Sequence, residues 1–289
     1  MTPIVSIVTP SYNMAPFLRQ AVESVLVQDY PAIEYIVIDG GSTDGSVDVL
    51  KEYAGRLRYV SGPDGGQADA VNRGFLTASG SIFGFLNADD YYYPGAVRAA
   101  VEAFNEDPTA GAVYGEAHHI AEDGAILGRY PTQPYDPKRF ESQCYICQPA
   151  CFLRSDVFRD AGLLNSELRF ALDYDLWIRV AKRRPLRKID RYLACSRLHP
   201  GAKTVSRTKQ VYREIFQVLK THYGYVPIEW IYGYSALLLD GQARARGLAP
   251  PSAGNVALSL LLGSIENPRH LLRFWADFRR KGVEWQADR

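Results

Sequence analysis

Long apolar runs are missing from this 289-residue sequence. No stretch of about 18 apolar residues occurs, so no membrane-spanning helix is expected. Cysteine is scarce: Cys144, Cys147, Cys151 and Cys195 are too few and too clustered for a disulfide framework, which fits a reducing compartment. Cys144-x-x-Cys147 with Cys151 lacks a second Cys/His pair at metal spacing, which argues against a zinc site. Net charge is nearly absent: 33 Lys and Arg against 32 Asp and Glu leave +1. There is no basic field for nucleic acid, and any anion must be held locally. Several enzyme signatures are also absent. No G-x-G-x-x-G, G-x-x-x-x-G-K-[ST], H-E-x-x-H or G-x-S-x-G occurs, which counts against a Rossmann dehydrogenase, a P-loop enzyme, a zincin and an α/β-hydrolase. Internal repeats and low-complexity stretches are missing. No charged and apolar leader precedes the strand-like run at 4–8, so the expectation is a cytoplasmic protein, at most peripheral to the cytoplasmic membrane face.

What is present is an alternation of periods. Apolar runs at 5–8, 35–38, 57–60, 82–86 and 112–114 read as strands. Helical spacing appears at 17–26, 46–53, 68–77 and 96–104, with Ser42 or Thr43 placed to cap the second of these. Strands separated by such helices imply βαβ units and a mostly parallel sheet. Residues 128–199 are less regular, with a helix at 173–182. Beyond 205 the pattern is helical at 208–222, 228–245, 253–265 and 270–281. The expected division is a first domain over 1–205 and a helical subdomain over 206–289.

Polar residues gather just past the first, second and fourth strands, the edge where open α/β sheets bind ligands. The fourth strand ends in Asn87-Ala88-Asp89-Asp90. Mg²⁺ commonly takes one or two carboxylates plus substrate phosphates, so Asp89 and Asp90 are candidate ligands. A solvated turn before Pro94 would use the same residues. The second strand ends in Asp39-Gly40-Gly41-Ser42-Thr43-Asp44-Gly45. Asp39 can accept from a base N–H or a ribose hydroxyl, and the glycines allow close approach. The same residues would also build a plain turn into a helix. The glycine-rich segment 62–66 leads into a helix carrying Gln67, Asp69, Asn72 and Arg73. Arg73 suits a diphosphate or an acidic loop, and an exposed helix face is the alternative.

Asp173 and Asp175 lie in the apolar stretch 172–178. A carboxylate in such surroundings has a raised pKa that suits a general base. A helix-start Asp favoured by the macrodipole explains them equally. Further on, His199 is a candidate metal ligand and Lys203 a phosphate contact, although a lone His is more often structural. The segment 269–281 sets Leu271, Leu272, Phe274, Trp275 and Phe278 against Arg269, Arg273, Arg279, Arg280 and Lys281. Such a helix suits an anionic membrane surface, an oligomer contact or packing on its own domain.

In this order the segments resemble glycosyltransferase family 2, with the GT-A fold. Val5-Ser6-Ile7-Val8-Thr9-Pro10-Ser11-Tyr12-Asn13 is similar to the family's opening strand and nucleotide loop. Residues 37–45 resemble its second loop, whose aspartate, here Asp39, contacts the base. Leu86-Asn87-Ala88-Asp89-Asp90 resembles its D-x-D region, and Leu172-Asp173-Tyr174-Asp175-Leu176-Trp177 the segment bearing the catalytic base, which maps to Asp173. Arg197-x-His199 resembles a later motif near metal and diphosphate. The likeness covers residues 4–204 and leaves the helical tail out. Two positions depart from the pattern: Asn87 stands in the first D-x-D position, and Leu172 precedes Asp173 where many members carry Glu.

The resemblance implies a Rossmann-like α/β fold, a mixed, mostly parallel sheet flanked by helices, followed by a C-terminal helical extension. It implies inverting, metal-dependent transfer from a nucleoside-diphosphate sugar, with UDP the expected nucleotide, to a hydroxyl on a glycan, lipid-linked or protein acceptor, in polysaccharide or glycoconjugate assembly. Mn²⁺ or Mg²⁺ would sit on Asp89, Asp90 and His199. Pro10, Ser11, Tyr12, Asn13, Asp39, Gly41, Gln67, Asp69, Arg73, Asn87, Ala88 and Lys203 would contact the donor. Gln148 and the aromatic stretch near Tyr145 would shape the acceptor side. Two rivals stand beside this reading. A sugar-nucleotide nucleotidyltransferase would want a glycine- and arginine-rich phosphate loop after the first strand, which is missing. A non-catalytic nucleotide-sugar-binding protein is kept open by Asn87 and Leu172.

Overall fold

Val5–Ser11, buried along its whole length, forms β1 at the centre of a sheet in a computed structural model that describes residues 2–240 and 252–287. β2 (Ile33–Asp39), β3 (Arg58–Ser61) and β4 (Ile82–Phe85) join it in parallel. Their apolar content follows from burial on both faces, as parallel sheets require. The crossovers are α1 (Ala15–Leu26), α2 (Ser46–Glu52) and α3 (Gln67–Thr77). Next come β5 (Tyr91–Tyr92), α4 (Ala96–Glu106), β6 (Ala112–Ile120), β7 (Ile126–Arg129), α5 (Pro137–Ser142), β8 (Cys151–Arg154), α6 (Ser155–Ala161), α7 (Leu172–Ala181) and β9 (Leu186–Arg197).

The described strands form one nine-stranded sheet in the order β3-β2-β1-β4-β8-β6-β9-β5, with β7 paired to β6. β8 runs antiparallel to both β4 and β6, and β9 is parallel to β6. The C-terminal ends of β1, β2, β3, β4, β6 and β9 therefore share one edge. Register sharpens this: Ser11 pairs with Asp39 and Asp39 with Ser61, so three polar residues stand in one row at that edge.

One sheet face buries Leu18, Val22 and Val25 of α1 with Val97, Val101 and Phe104 of α4. On the other, Phe75 stacks on Phe83 at 4.5 Å and Phe158 meets both edge-on. α3 lies close to β1 because Gly74 has no side chain: a Cβ there would fall 2.4 Å from Val8 Cγ1.

The five expected strands, β1 to β4 and β6, and the four helices expected among them are present. β5, β7, β8 and β9 lie outside the sequence expectation. β9 carries Arg187, Lys188, Asp190 and Arg191, so its pattern is polar, and its pairing is supported by ion pairs such as Lys188 to Glu116 at 2.6 Å. The expected cap from Ser42 or Thr43 is corrected. Gly45, with φ of 97°, precedes α2 and no side chain caps it. Ser42 Oγ instead donates to Asp39, and Thr43 N–H donates to Asn13.

By its internal contacts the chain divides into two units, 1–135 with 145–202, and 136–144 with 203–289. Besides α5, the second unit holds α8 (Lys203–Ser206), α9 (Thr208–Tyr223), α10 (Ile228–Asp240), α11 (Ala253–Glu266) and α12 (Leu271–Ala287). Residues 241–245 of the expected helical segment 228–245 lie outside the described residues. α5 is tied in by Trp230 Nε1, which donates to Glu141 O at 3.0 Å. Buried Asn267 pins the α9–α10 connection, accepting from Val226 N and donating to Val226 O.

Gly74→Ala is expected to destabilise the protein by about 1–3 kcal/mol through overpacking against Val8. A lowered urea midpoint would show this, and an unchanged midpoint would mean that α3 can move off β1 freely.

Candidate active site

The strand-end edge is knitted together before any ligand is considered. Asn13, in the left-handed region at φ 52°, donates its N–H to Ser42 Oγ at 2.8 Å and accepts from Thr43 N at 2.9 Å. Asn tolerates that backbone region better than most residues. The first turn of α1 has no cap of its own. Asp44 Oδ2 accepts from Ala15 N at 2.9 Å, which satisfies an orphan N–H and places a negative charge at a helix start. Tyr12 projects from the same loop, 62% exposed. Ser11 Oγ is buried and, among the described residues, has no hydrogen-bond partner. Pro10 and Ala88 are buried, so what they offer a ligand is backbone.

Asp39 is buried and held by its own loops. Its Oδ2 accepts from Gly41 N, Ser42 N and Ser61 Oγ, and its Oδ1 from Ser42 Oγ at 2.5 Å. A carboxylate offers about four lone-pair sites over two oxygens, so the remaining acceptor capacity lies on Oδ1. Gly41, at φ 82°, packs its Cα side against Gly62 and Pro63 and so joins the second and third loops. At the start of α3, Asp69 Oδ2 accepts from Gly65 N at 2.9 Å and pairs with Arg73 at 2.8 Å. A cavity of about 700 Å³ lined by Ile38, Leu57, Arg58, Val60, Arg73 and Thr77 reaches Asp39 and Pro63.

The acidic turn is built differently from the expectation at one position. Asp90 was expected to ligate metal. Its carboxylate is buried and engaged: Oδ1 accepts from Arg197 N at 2.9 Å and Oδ2 from Asn87 Nδ2 at 3.1 Å. Burial, with the Asp89 carboxylate beside it, pushes Asp90 well above the usual carboxylate range. Asn87 is the hub of an amide chain. It accepts from Gln67 Nε2 at 2.6 Å and donates to Gln148 Oε1 at 2.9 Å, and Gln148 donates to Phe85 O at 2.6 Å.

Asp89 faces another way. Its Oδ2 lies 3.1 Å from His199 Nε2. Two donors at right angles on an ion with bonds of about 2.1 Å are about 3 Å apart, so this pair fits a hard divalent cation. Among the described residues no group of three His, Cys, Asp or Glu side chains is arranged to hold an ion. Such a cation would need its other ligands from a substrate or water, as Mg²⁺ sites commonly do. Arg197 fixes the pair. It donates Nε–H to Asp89 O, its terminal nitrogens to Ala121 O, Glu122 O and Gln20 Oε1, and lies 4.9 Å from the Phe17 ring centre. Phe17 in turn packs on His199 at 5.0 Å between centroids.

The two aspartates of 172–178 have separate fates. Asp175 is buried and pairs with Arg179 at 2.8 Å, and Arg179 also donates to the carbonyls of Ala161, Gly162 and Leu163. Asp175 is therefore structural. Asp173 is half-buried, with Oδ1 accepting from Tyr174 N at 2.8 Å. Loss of water around it raises its carboxyl from 3.8 to about 6, against the lowering effect of the backbone N–H. The chain reaches this point along α3: Leu164 pairs with Asn72 through both backbone groups, and the Arg169 guanidinium comes within 3.6 Å of where a Gly66 Cβ would stand. Asp173 thus follows four residues after a point at the strand-end edge.

Lys203 opens α8 and belongs to the second unit. Tyr145, expected at the acceptor side, is fully buried and serves the core. Arg169, which is exposed, and Phe17 were not singled out for the site, and Arg197 was quoted only within its motif, since nothing local marks it as buried. Also outside the sequence reading is an aromatic shelf beyond the acidic turn. Tyr91 and His118 both pair with Cys195 from opposite sides. His118 stacks on Tyr192 at 4.2 Å, and Tyr93 Oη lies 2.8 Å from His118 Nδ1.

The profile of glycosyl transferase family 2 matches residues 6–162. An uncharacterized glycosyltransferase of Rickettsia felis is 30% identical over 221 residues, 71% of this chain and 36% of its own length. Chondroitin synthase of Pasteurella multocida is 30% identical over 183 residues, 62% of this chain and 19% of its own length. The chain spans well under two thirds of either relative. Among solved structures, S. aureus TarS 1-349 in complex with UDP-GlcNAc aligns with a TM-score of 0.66 at 14% identity, over 98% of this chain and 89% of that one. Mannosyltransferase PcManGT of Pyrobaculum calidifontis, in complex with GDP-Man and Mn²⁺, aligns at 0.59 with 19% identity, over 98% and 88%. These likenesses establish the GT-A fold, a mixed and mostly parallel sheet flanked by helices with further helices after it.

Asp173 gives a stability prediction with a definite sign. Below about pH 4 its carboxyl is protonated in the folded and unfolded chains alike. Between 3.8 and about 6 the unfolded chain releases a proton that the folded chain keeps, so stability falls as pH rises through that window. Asp173→Asn is therefore expected to be more stable than wild type above about pH 6, by about 1–3 kcal/mol. The gain should vanish toward about pH 4 in urea denaturation. Equal stability at both pH values would contradict the desolvation of Asp173.

Proposed function

Because the chain belongs to glycosyl transferase family 2, we propose that it transfers a sugar, with inversion, from a nucleoside-diphosphate donor to an acceptor hydroxyl. The observation that carries this reading is the division of four carboxylates. Asp90 and Asp175 are consumed by the fold, while Asp89 faces His199 and Asp173 stands half-buried with a raised pKa.

Asp89 and His199 would hold Mn²⁺ or Mg²⁺, which would supply positive charge to the leaving diphosphate. The two structural neighbours, one in complex with UDP-GlcNAc and one with GDP-Man and Mn²⁺, support a nucleotide-sugar donor and a divalent ion. Ser11, Tyr12, Asn13, Asp39 and Gly41 border the nucleoside side. The exposed Tyr12 ring offers a stacking face, and Asp39 Oδ1 keeps acceptor capacity for a base or ribose donor. In this reading Arg73 and Arg169 are the first unit's cations for the diphosphate, with Gln67, Asp69, Asn87 and Ala88 on the same strand-end edge. UDP is our preferred nucleotide.

Asp173 accepts the proton of the acceptor hydroxyl as that oxygen forms its bond to the anomeric carbon. The bond from that carbon to the diphosphate oxygen breaks, and the diphosphate leaves with the electron pair. A carboxylate near 6 is ionised at neutral pH yet basic enough for the task. A glycan acceptor is favoured among the hydroxyl classes: the shelf of Tyr91, Tyr93, His118 and Tyr192 offers flat faces for sugar rings, and a relative is named as a chondroitin synthase. Four thiols, none of them in a disulfide, fit a cytoplasmic setting.

The test is nucleoside diphosphate release from a panel of nucleotide sugars, with Mn²⁺, Mg²⁺ or EDTA. Release from one donor, abolished by EDTA, is expected, with kcat/KM rising through about pH 6 and level above. Asp173→Asn should lower kcat by about 10²–10⁴-fold with donor binding kept. Normal transfer by that variant would remove Asp173 from the mechanism, and pyrophosphate release from nucleoside triphosphates would favour a nucleotidyltransferase.

A further inference from the structure

We propose that the second unit docks on an anionic lipid surface through one face of α11 and α12. α12 packs on its own unit by Phe274, whose ring occupies the space left by Gly263: a Cβ there would fall 1.8 Å from Phe274 Cζ. That contact settles which way the helix faces. With Phe274 inward, Leu272 stands 85% exposed and Trp275 52% exposed. On α11, Leu261 and Ile265, one turn apart, are 59% and 60% exposed. The two pairs are neighbours, because Leu261, Ser264, Trp275 and Arg279 line one groove and Trp275 Nε1 lies 3.4 Å from Ser264 Oγ. Soluble surfaces rarely gather large side chains in this way without a partner.

Charge names the partner. On a helix of 3.6 residues per turn, Arg279 stands between Leu272 and Trp275, while Arg273 and Arg280 lie together on one side of the ridge, Arg273 over the Tyr225 ring at 3.9 Å. The nearby acids are neutralised within the unit: Asp277 pairs with Arg280, and Glu266 with Lys220. Arg273 and Arg280 share the one carboxylate of Asp277 and Arg279 stands beside the ridge itself, so the border is positive on balance. A second copy seated on this face across a two-fold axis would bring arginines against arginines. Anionic headgroups meet the arginines, and the acyl boundary takes Leu272, Trp275, Leu261 and Ile265. No described helix is long and apolar enough to cross a membrane, so the contact lies along the surface. All four apolar side chains are at least half exposed, and Phe274, which seats α12 against Gly263, is not among the residues replaced.

The experiment is co-sedimentation of the whole protein with vesicles of phosphatidylcholine, with and without phosphatidylglycerol, at low and high salt. Binding should require phosphatidylglycerol and weaken with salt. Arg279→Gln should lower partitioning about fivefold, and Leu272→Ser with Trp275→Ser should abolish it while the thermal unfolding profile is retained. Wild-type protein that ignores anionic vesicles, or a double variant that binds as well as wild type, would overturn the proposal. So would a wild type that runs as a dimer on gel filtration and becomes monomeric in the double variant, since the face would then be a self-contact. None of these readouts depends on transferase activity.

Discussion

Arg197 is the residue on which the geometry of the site depends. Its backbone N–H holds Asp90, and its guanidinium reaches the carbonyls of Asp89, Ala121 and Glu122, the amide of Gln20 and the face of Phe17. A buried guanidinium is costly unless its N–H groups are satisfied, so this residue tolerates only one arrangement of the loops around it. The end of β9 is thereby tied to the turn after β4, across two chain segments more than a hundred residues apart. His199 follows two residues later and lands against Asp89. Fixing the arginine fixes the pair.

The same logic sorts the other carboxylates. Each aspartate that meets an arginine or a set of backbone N–H groups becomes part of the scaffold: Asp175 with Arg179, Asp44 at the start of α1, Asp69 with Gly65 and Arg73. Asp39 is an intermediate case, buried and bonded through four donors yet with one oxygen only partly used. What remains for chemistry is the remainder left by structure. Asp89 has an imidazole instead of a guanidinium beside it, and Asp173 has desolvation set against backbone N–H groups alone. Neighbouring residues in sequence, Asp89 and Asp90 or Asp173 and Asp175, therefore diverge completely in their surroundings.

Local pattern carried the parallel half of the sheet. Strands buried on both faces read as continuous apolar runs, and the loops that follow them must lie on one edge whatever the distant chain does. The same reasoning found the acidic turn and the aspartates of α7. It failed where long-range pairing decides. β9 is charged along its solvent side, and only its partner β6 makes it a strand, so periodicity could not show it. Asp90 looked equal to Asp89 because the Arg197 N–H that claims it is remote in sequence. Tyr145 looked like an acceptor-site aromatic and is core, since residue type does not report burial. The aromatic shelf escaped for the opposite reason: Tyr91, His118 and Tyr192 come from three strands and meet only through register. Asn87, which departs from the family pattern, gains a physical role as the amide that links Gln67, Asp90 and Gln148.

The central claim is that Asp89 and His199 hold a divalent cation together with the diphosphate of the donor. Calorimetric titration of UDP and GDP into the protein, first with Mn²⁺ and then with EDTA, tests it most directly. The account predicts that one nucleotide binds with Mn²⁺, that EDTA weakens it strongly, and that Asp89→Asn loses the metal-dependent part while Asp90→Asn, if folded, keeps it. Nucleotide affinity that is the same with Mn²⁺ and EDTA, or a metal dependence that survives Asp89→Asn, would contradict it.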